Sequence, residues 1–243
     1  MPVAENIADI RTRIADAAHR KGRKPGDIAL MAVSKTVAAD NIRKAYQAGL
    51  RLFGESRVQE MAAKAGALRD LKDLEWHMIG HLQSNKSLKA AELFGAVDSV
   101  DSVPLAEKLN AVSEQVGKTL AVLIEINLGG EAAKSGLAPG SSELHAILQA
   151  AKRLPYLEFR GLMTVPPFTE DPEGARPFFR KLRELRDVIV HARWPSVSMD
   201  VLSMGMSHDF EIAVEEGSTC VRVGTAMFGE RPETLTTEGT EDG

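Results

Sequence analysis

The sequence is poor in cysteine and in basic clusters. Cys220 is its only cysteine among 243 residues, which excludes an intrachain disulfide and a cysteine-rich metal site and suits a reducing compartment. The formal net charge is −4, whereas nucleic-acid-binding proteins usually carry a basic patch. We therefore expect a cytoplasmic protein that does not bind nucleic acid.

Long apolar runs are also missing. No stretch approaches the roughly 20 apolar residues of a membrane-spanning helix. The first residues, MPVAENIADIRTR, carry acidic side chains where a secretory signal carries a basic segment and then an apolar one. We expect neither membrane association nor export. Residues 231–243 are mostly Thr, Glu and Gly, so we expect a disordered tail after a single domain of residues 1–230.

The chain does contain a regular alternation of short apolar runs and amphipathic segments. Leu105, Leu109 and Val112 form one helical stripe, which follows Ser102 as a predicted N-cap. Several apolar runs are continuous, which is typical of parallel strands buried on both faces. Eight strands are predicted, at Ile28–Ser34, Leu50–Gly54, Glu75–Ile79, Ala96–Val100, Leu120–Asn127, Glu158–Thr164, Ser198–Ser203 and Cys220–Val223.

Eight strands, nearly all followed by a helix, predict an α/β fold, a single (β/α)₈ TIM-type barrel. An extra N-terminal helix, carrying Ile7, Ile10 and Ile14, precedes the first strand. Periodicity leaves a doubly wound open sheet as the structural alternative. In a barrel, the functional face is built at the carboxyl ends of the strands.

Lys35 lies at the carboxyl end of the first strand, in LMAVSKT. An amine held in a dry cavity loses its proton more readily, and it then attacks carbonyl groups to form Schiff bases. The alternative is a lysine whose stem packs on the rim while its ammonium group stays in water. Position alone favours the alternative.

The other end of the sequence carries two loops suited to an anion. They follow the seventh and eighth strands, where barrels often bind phosphate, and they combine hydroxyls, glycines and free backbone N–H groups. Ordinary turn chemistry is the alternative explanation. Ser207 is further predicted to cap a helix that begins near His208. The candidate phosphate-binding residues are Ser203, Ser207, Gly224 and Thr225.

Arg222 is the third candidate. Gly224 follows it by two residues along the eighth strand. Successive side chains of a strand point to opposite faces, so Arg222 and Gly224 share a face. Arg222 then either lines the barrel mouth or pairs with a core carboxylate such as Glu125 or Asp200. A lysine for an aldehyde, loops for a phosphate and an arginine for a ring together describe a site for pyridoxal 5′-phosphate (PLP).

Specific motifs strengthen this interpretation. The segment WHMIGHLQSNK, together with AVSKT, NLGGEAAKSGL, GLMTVPP and LSMGMSHDFEIAVEEGSTCVRVGTAMFG, resembles the pyridoxal phosphate homeostasis proteins from about Ile7 to Gly229. The resemblance implies the PLP-binding barrel shared with alanine racemase and a role in vitamin B6 homeostasis. It also implies that PLP is held as an aldimine and supplied to PLP-dependent apo-enzymes.

Site roles follow from the same resemblance. Lys35 resembles the lysine that forms the internal aldimine, and Arg222 matches the residue that faces the pyridine nitrogen. The four candidate phosphate-binding residues match the segments that hold the phosphate. The family usually has Gly-Glu-Asn after the second strand, with the asparagine beside the cofactor, whereas this chain has Gly-Glu-Ser with the shorter Ser56.

An amino-acid racemase is the main alternative function. In alanine racemase the second base is a tyrosine from an added C-terminal β-domain, whereas this sequence ends soon after the eighth predicted strand. Its tyrosines, Tyr46 and Tyr156, are not expected at carboxyl strand ends. An arginine at the ring nitrogen also disfavours ring protonation. We therefore expect a monomeric carrier without catalytic residues, and a cofactor-free interaction barrel is a third hypothesis.

Two further hypotheses concern Lys134 and the pair of histidines near the third strand. Lys134, on the glycine-rich loop after the fifth strand, is hypothesised to be a secondary docking amine or phosphate contact, with a solvated lysine as the alternative. His77 and His81 flank the end of the third strand. No third ligand at matched geometry is obvious, so we expect structural histidines rather than a metal site.

Overall fold

Eight parallel strands close into a barrel in the computed structural model, which describes residues 2–130 and 135–229. The strands follow one another around the barrel in chain order, and β1 pairs with β8. The strands are β1 (Ala29–Val33), β2 (Leu52–Glu55), β3 (Glu75–Met78), β4 (Ala96–Val100), β5 (Leu120–Glu125), β6 (Leu157–Met163), β7 (Val197–Ser203) and β8 (Cys220–Val223). Closure confirms the predicted (β/α)₈ barrel, because a doubly wound open sheet leaves its edge strands unpaired.

The helices surround the barrel and bury one face each against it. The predicted N-terminal helix is confirmed, with Ile7, Ile10 and Ile14 buried. The helices are α1 (Val3–Arg20), α2 (Ala39–Gln47), α3 (Val58–Leu68), α4 (Ser87–Leu93), α5 (Val103–Gln115), α6 (Ser142–Ala150), α7 (Arg176–Ala192), α8 (Phe210–Glu215) and α9 (Thr225–Phe228). None of those in the described parts of the chain combines the length and apolar character that a membrane span requires.

Local sequence explains where several elements begin and end. The Ser102 hydroxyl accepts the N–H of Leu105, which caps α5 as predicted. Strand β2 begins two residues later than predicted, because the N–H of Leu50 donates to Ala45 and closes the end of α2. The predicted tail at residues 231–243 and the hypothesis on Lys134 fall outside the described residues.

A buried carboxylate joins α7 to the end of α8. The Glu216 side chain is 6% exposed and accepts hydrogen bonds from Arg176, Arg180 and Arg183 at 3.1, 3.2 and 3.0 Å. Burial alone would raise the pKa of Glu216, but the arginines outweigh burial and lower it. The cluster therefore fixes the end of α8, the helix that follows the loop after β7.

Replacing Glu216 with alanine should lower the free energy of unfolding at neutral pH by about 2 kcal/mol, since hydrogen bonds to a charged acceptor are lost. The lowered folded-state pKa means that this contribution is present above the unfolded-state pKa of about 4.3 and is lost as the pH falls further. Urea unfolding at several pH values measures it. Glu92→Ala breaks an exposed pair with Lys89 and should cost less than about 1 kcal/mol. Equal losses in the two variants would contradict the prediction.

Candidate functional site

A cavity of about 570 Å³ lies at the carboxyl ends of the strands. Its lining includes Lys35 after β1, Ser207 after β7, Arg222 on β8, and Gly224 and Thr225 after β8. The structure therefore brings together five of the six residues predicted for the site. The Ser56 side chain, which stands where the family usually has asparagine, lines the same cavity.

The register of the barrel explains why Lys35 and Arg222 line the same cavity. Met31 on β1 is the register partner of Arg222 on β8. Alternation along β1 places Val33 on the same face as Met31, and Lys35 follows beyond the end of the strand, where it lines the cavity. Lys35 is half-buried at the wall of the cavity. Its position past the last residue of β1 lets its long stem reach into the opening.

Arg222 points into the barrel and is only 3% exposed. Its Nη1 donates to the Ser203 hydroxyl at 2.7 Å and its Nη2 donates to the Thr164 carbonyl at 2.8 Å. These hydrogen bonds go to neutral oxygens rather than to the carboxylates of Glu125 or Asp200. Burial lowers the pKa of Arg222, yet an arginine keeps its proton in proteins. A fixed cation consequently lies in the floor of the cavity.

Ser203 has a different place from the other predicted residues. It is fully buried and does not line the cavity, and its hydroxyl accepts the hydrogen bond from Arg222. Strand β7 ends at this serine, as the apolar run before it predicted. The hydrogen bond that the Ser203 hydroxyl accepts helps to hold the Arg222 guanidinium in place.

Ser207 joins the two candidate anion loops. Its hydroxyl accepts the N–H of Gly224 at 3.3 Å and the N–H of Ala226 at 3.2 Å. The prediction that it caps a helix near His208 is wrong, because α8 begins at Phe210. Two backbone N–H groups therefore converge on a hydroxyl beside the cavity, in an arrangement that suits an anion.

Two neighbours hold the loop after β7 in shape. The Asp209 Oδ1 accepts the N–H of Met206 at 2.6 Å, and burial raises the pKa of Asp209. Gly205 has φ +95°, and a Cβ built there would lie 2.5 Å from the Cβ of Ala213. Only glycine satisfies both the left-handed backbone and the close packing.

The histidines near β3 each approach one carboxylate. His77 Nδ1 lies 3.1 Å from Asp98 Oδ1, and His81 Nδ1 lies 3.4 Å from Asp101 Oδ2. Burial opposes protonation of His77, but the Asp98 carboxylate outweighs burial and raises the pKa of His77. Both contacts fit the structural role predicted for these side chains.

Several residues at or near the site were missed by sequence reasoning. Asn41, Val165 and Phe228 line the cavity, and they come from α2, the segment after β6 and α9. Val165 and Phe228 lie within two of the quoted motifs but were not singled out, and Asn41 lies in none of them. Closure of the barrel brings all three to the mouth. Glu60 and Lys64, which contact the residues beside Lys35, were also missed, although their i,i+4 spacing on a helix was a usable signal.

The parts of the cavity suit one type of ligand. A primary amine at the wall can attack an aldehyde, a buried guanidinium can meet a ring nitrogen, and convergent N–H groups with hydroxyls can hold a phosphate. The volume lies in the range of small-molecule sites, roughly 300–1,000 Å³. PLP carries all three groups, so the residues present fit that cofactor.

Comparison with known proteins agrees with this chemistry. The chain matches the family model of the alanine racemase N-terminal domain over residues 5–232. It is 45% identical over 231 residues to the pyridoxal phosphate homeostasis protein of Aquifex aeolicus, covering 95% of this chain and 99% of that relative. It is 42% identical over 236 residues to the protein of that name in Escherichia coli K12, covering 94% and 97%.

Solved structures give the same picture. PipY of Synechococcus elongatus, solved with PLP bound, is similar with a TM-score of 0.82 and 38% identity, covering 93% of this chain and 100% of that one. An alanine racemase of Clostridium difficile has a TM-score of 0.68 at 16% identity, and the match covers 96% of this chain and 58% of the racemase chain. The second likeness concerns the fold alone.

The Cys220 thiol should be inert in the native protein. It is buried at the start of β8, and burial raises its pKa to about 12. Thiolate is the reactive form, so alkylation by iodoacetamide at pH 8 should be at least about 100-fold slower in the native protein than in urea. Mass spectrometry of the modified peptide measures both rates. Similar rates in the two states would contradict the burial of this thiol.

Proposed function

The chain belongs to the pyridoxal phosphate homeostasis protein family, and from that membership we propose that it holds PLP on Lys35 and supplies it to PLP-dependent apo-enzymes. One observation carries the proposal: Lys35, Arg222 and the two loops after β7 and β8 line one cavity. They come from opposite ends of the sequence, and they match separate groups of a single cofactor.

Attachment of PLP to the chain would be a condensation. The neutral Lys35 amine attacks the aldehyde carbon, a C=N bond forms, and the carbonyl oxygen leaves as water. The resulting aldimine is reversible, because water or the lysine amine of an apo-enzyme can displace Lys35 by the same chemistry. Reversibility is what a carrier of a reactive aldehyde requires.

Phosphate contacts would come from the joined loops. The Ser207 hydroxyl and the N–H groups of Gly224 and Ala226 already meet within hydrogen-bonding distance, so an anion can share these donors. Thr225 lines the cavity next to them and adds a second hydroxyl. Ser203 would contribute through Arg222, whose guanidinium it helps to fix.

The observations support a role in binding PLP better than they support racemase activity. Racemisation needs a proton donor or acceptor on each face of the planar intermediate. Neither tyrosine of the chain lines the cavity, and the Tyr46 hydroxyl donates to Asp73 at 2.6 Å. Arg222 is a buried cation in the cavity floor, and a ring nitrogen bound against it would be hard to protonate. These features support storage and transfer of PLP without chemistry on amino acids, by a chain that we propose acts as a monomer.

Lys35→Ala should abolish covalent attachment of PLP while leaving the fold intact, because a half-buried side chain at the barrel mouth is not part of the core. Incubation with PLP, borohydride reduction and peptide mass spectrometry should give a pyridoxyl adduct on Lys35 of the unmodified protein and none in the variant. Lys89→Ala, at an exposed pair on α4, is the matched control and should be labelled normally. An adduct of undiminished yield in Lys35→Ala would remove this lysine from its role.

Ser56→Asn should slow the release of PLP. The longer side chain extends further into the cavity that Ser56 lines and restores the residue usual in the family. One added hydrogen bond of about 1 kcal/mol corresponds to roughly fivefold slower release. Transfer of PLP from the loaded protein to an apo-enzyme, followed by the recovered activity of that enzyme, gives the rate. Release as fast as from the unmodified protein would show that the asparagine contact does not matter here.

A further inference from the structure

Thr36, the residue after Lys35, has a strained backbone. Its φ is +64°, in the left-handed region. A β-branched residue is a rare outlier there, because its side chain crowds the backbone. Such strain persists only where the surrounding structure holds it, and it is concentrated at functional sites. The contacts around Thr36 therefore bear on how Lys35 is presented to the cavity.

Glu60 on α3 holds Thr36 from one side. Its Oε1 accepts the backbone N–H of Thr36, and the Thr36 hydroxyl donates to the Lys35 carbonyl at 2.6 Å. Burial alone would raise the pKa of Glu60, but hydrogen bonds from Lys64 and Thr36 outweigh it and lower that pKa. The carboxylate is thus ionised at neutral pH, in the form that accepts hydrogen bonds most strongly.

Lys64 holds the residue on the other side of Lys35. Its Nζ donates to the Ser34 carbonyl at 2.7 Å and to Oε1 of both Glu60, at 2.7 Å, and Glu55, at 2.6 Å. The Lys64 side chain is 12% exposed and that of Glu55 is fully buried. One ammonium group therefore connects the flanks of Lys35, directly at Ser34 and through Glu60 at Thr36.

Ser34 is fixed further by β2. Its N–H donates to the Gly54 carbonyl at 3.0 Å and its hydroxyl donates to Glu55 at 2.8 Å. Burial raises the pKa of Glu55, and the bonds from Lys64 and Ser34 oppose that rise. A cluster that only fastened α3 to the barrel would need no strained residue. Here the cluster binds Ser34 and Thr36, the two residues that flank Lys35.

We propose that Lys64 and Glu60 are positioning residues, which hold the strained turn at Thr36 and thereby direct the Lys35 amine into the cavity. This inference rests on the proposed function, in which Lys35 takes the aldehyde of PLP. Neither residue lines the cavity, so each acts through the backbone on either side of Lys35.

The first test needs no cofactor. Amide hydrogen exchange at Thr36, measured by NMR on the unliganded full chain, should become about tenfold faster in Glu60→Ala and in Lys64→Met, which is the scale of a lost hydrogen bond to a charged group. Lys89→Met removes an ammonium group from an exposed ion pair and should leave the Thr36 amide unchanged. Unchanged exchange in both Glu60→Ala and Lys64→Met would overturn the proposal.

The second test follows Lys35 itself. The rate at which PLP is trapped on Lys35 by borohydride should fall about tenfold in Glu60→Ala and Lys64→Met, in step with the loosened turn. Thr36→Asn supplies a rescue, because asparagine adopts the left-handed conformation far more readily than a β-branched residue. In the Glu60→Ala background, Thr36→Asn should return trapping to within about threefold of the unmodified rate. A purely stabilising role of Glu60 would not be rescued in this way.

The outcomes separate the two proposals. Failure of the unmodified protein to form an adduct on Lys35 would overturn the proposed function. Normal trapping in the unmodified protein, with equal rates in Glu60→Ala and Lys64→Met, would leave that function standing and overturn the positioning role. Slower trapping that Thr36→Asn does not rescue would equally overturn it, because the loss would then come from general destabilisation.

Discussion

Pairing of the first strand with the last is the constraint on which the site depends. Ala32 on β1 is the register partner of Val223 on β8, so the ends of both strands reach the barrel mouth side by side. A Cβ added to Gly224 would lie 3.3 Å from the Val33 Cβ, which shows how closely the two ends approach. Closure therefore brings an amine from one end of the sequence close to a cation and a candidate anion-binding loop from the other.

A buried cation in the barrel floor requires compensation, because burying a charge without partners is costly. Arg222 meets this requirement with neutral oxygens from β7 and from the end of β6, while Asp98, Asp209 and Glu125 supply opposite charge nearby. The same arrangement accounts for Ser203. Ser203 was predicted to belong to a segment that holds phosphate, and in the structure its hydroxyl is one of the acceptors of the arginine.

Sequence reasoning reached most of the fold and much of the site. Strong local signals succeeded, as in the Ser102 cap, the isoleucine stripe of α1 and the runs that became strands. Prediction failed where a polar group had several local options. Ser207 could cap a following helix or reach another loop, and it reaches the N–H groups after β8. The cluster around Lys64 was missed because the sequence does not show that α3 packs beside the end of β1, which brings Lys64 and Glu60 to the neighbours of Lys35.

The sequence by itself determined the alternation of strands and helices, the lysine at the end of a buried run and the small polar loops near the end of the barrel. Those features follow from local periodicity, turn chemistry and motif. Only the tertiary structure decided that Arg222 donates to Ser203 and that Ser207 joins two loops. It also decided that Glu60 and Lys64 form hydrogen bonds with the neighbours of Lys35. The physical reason is that closure and register set the distances between strand ends, whereas separation along the chain does not.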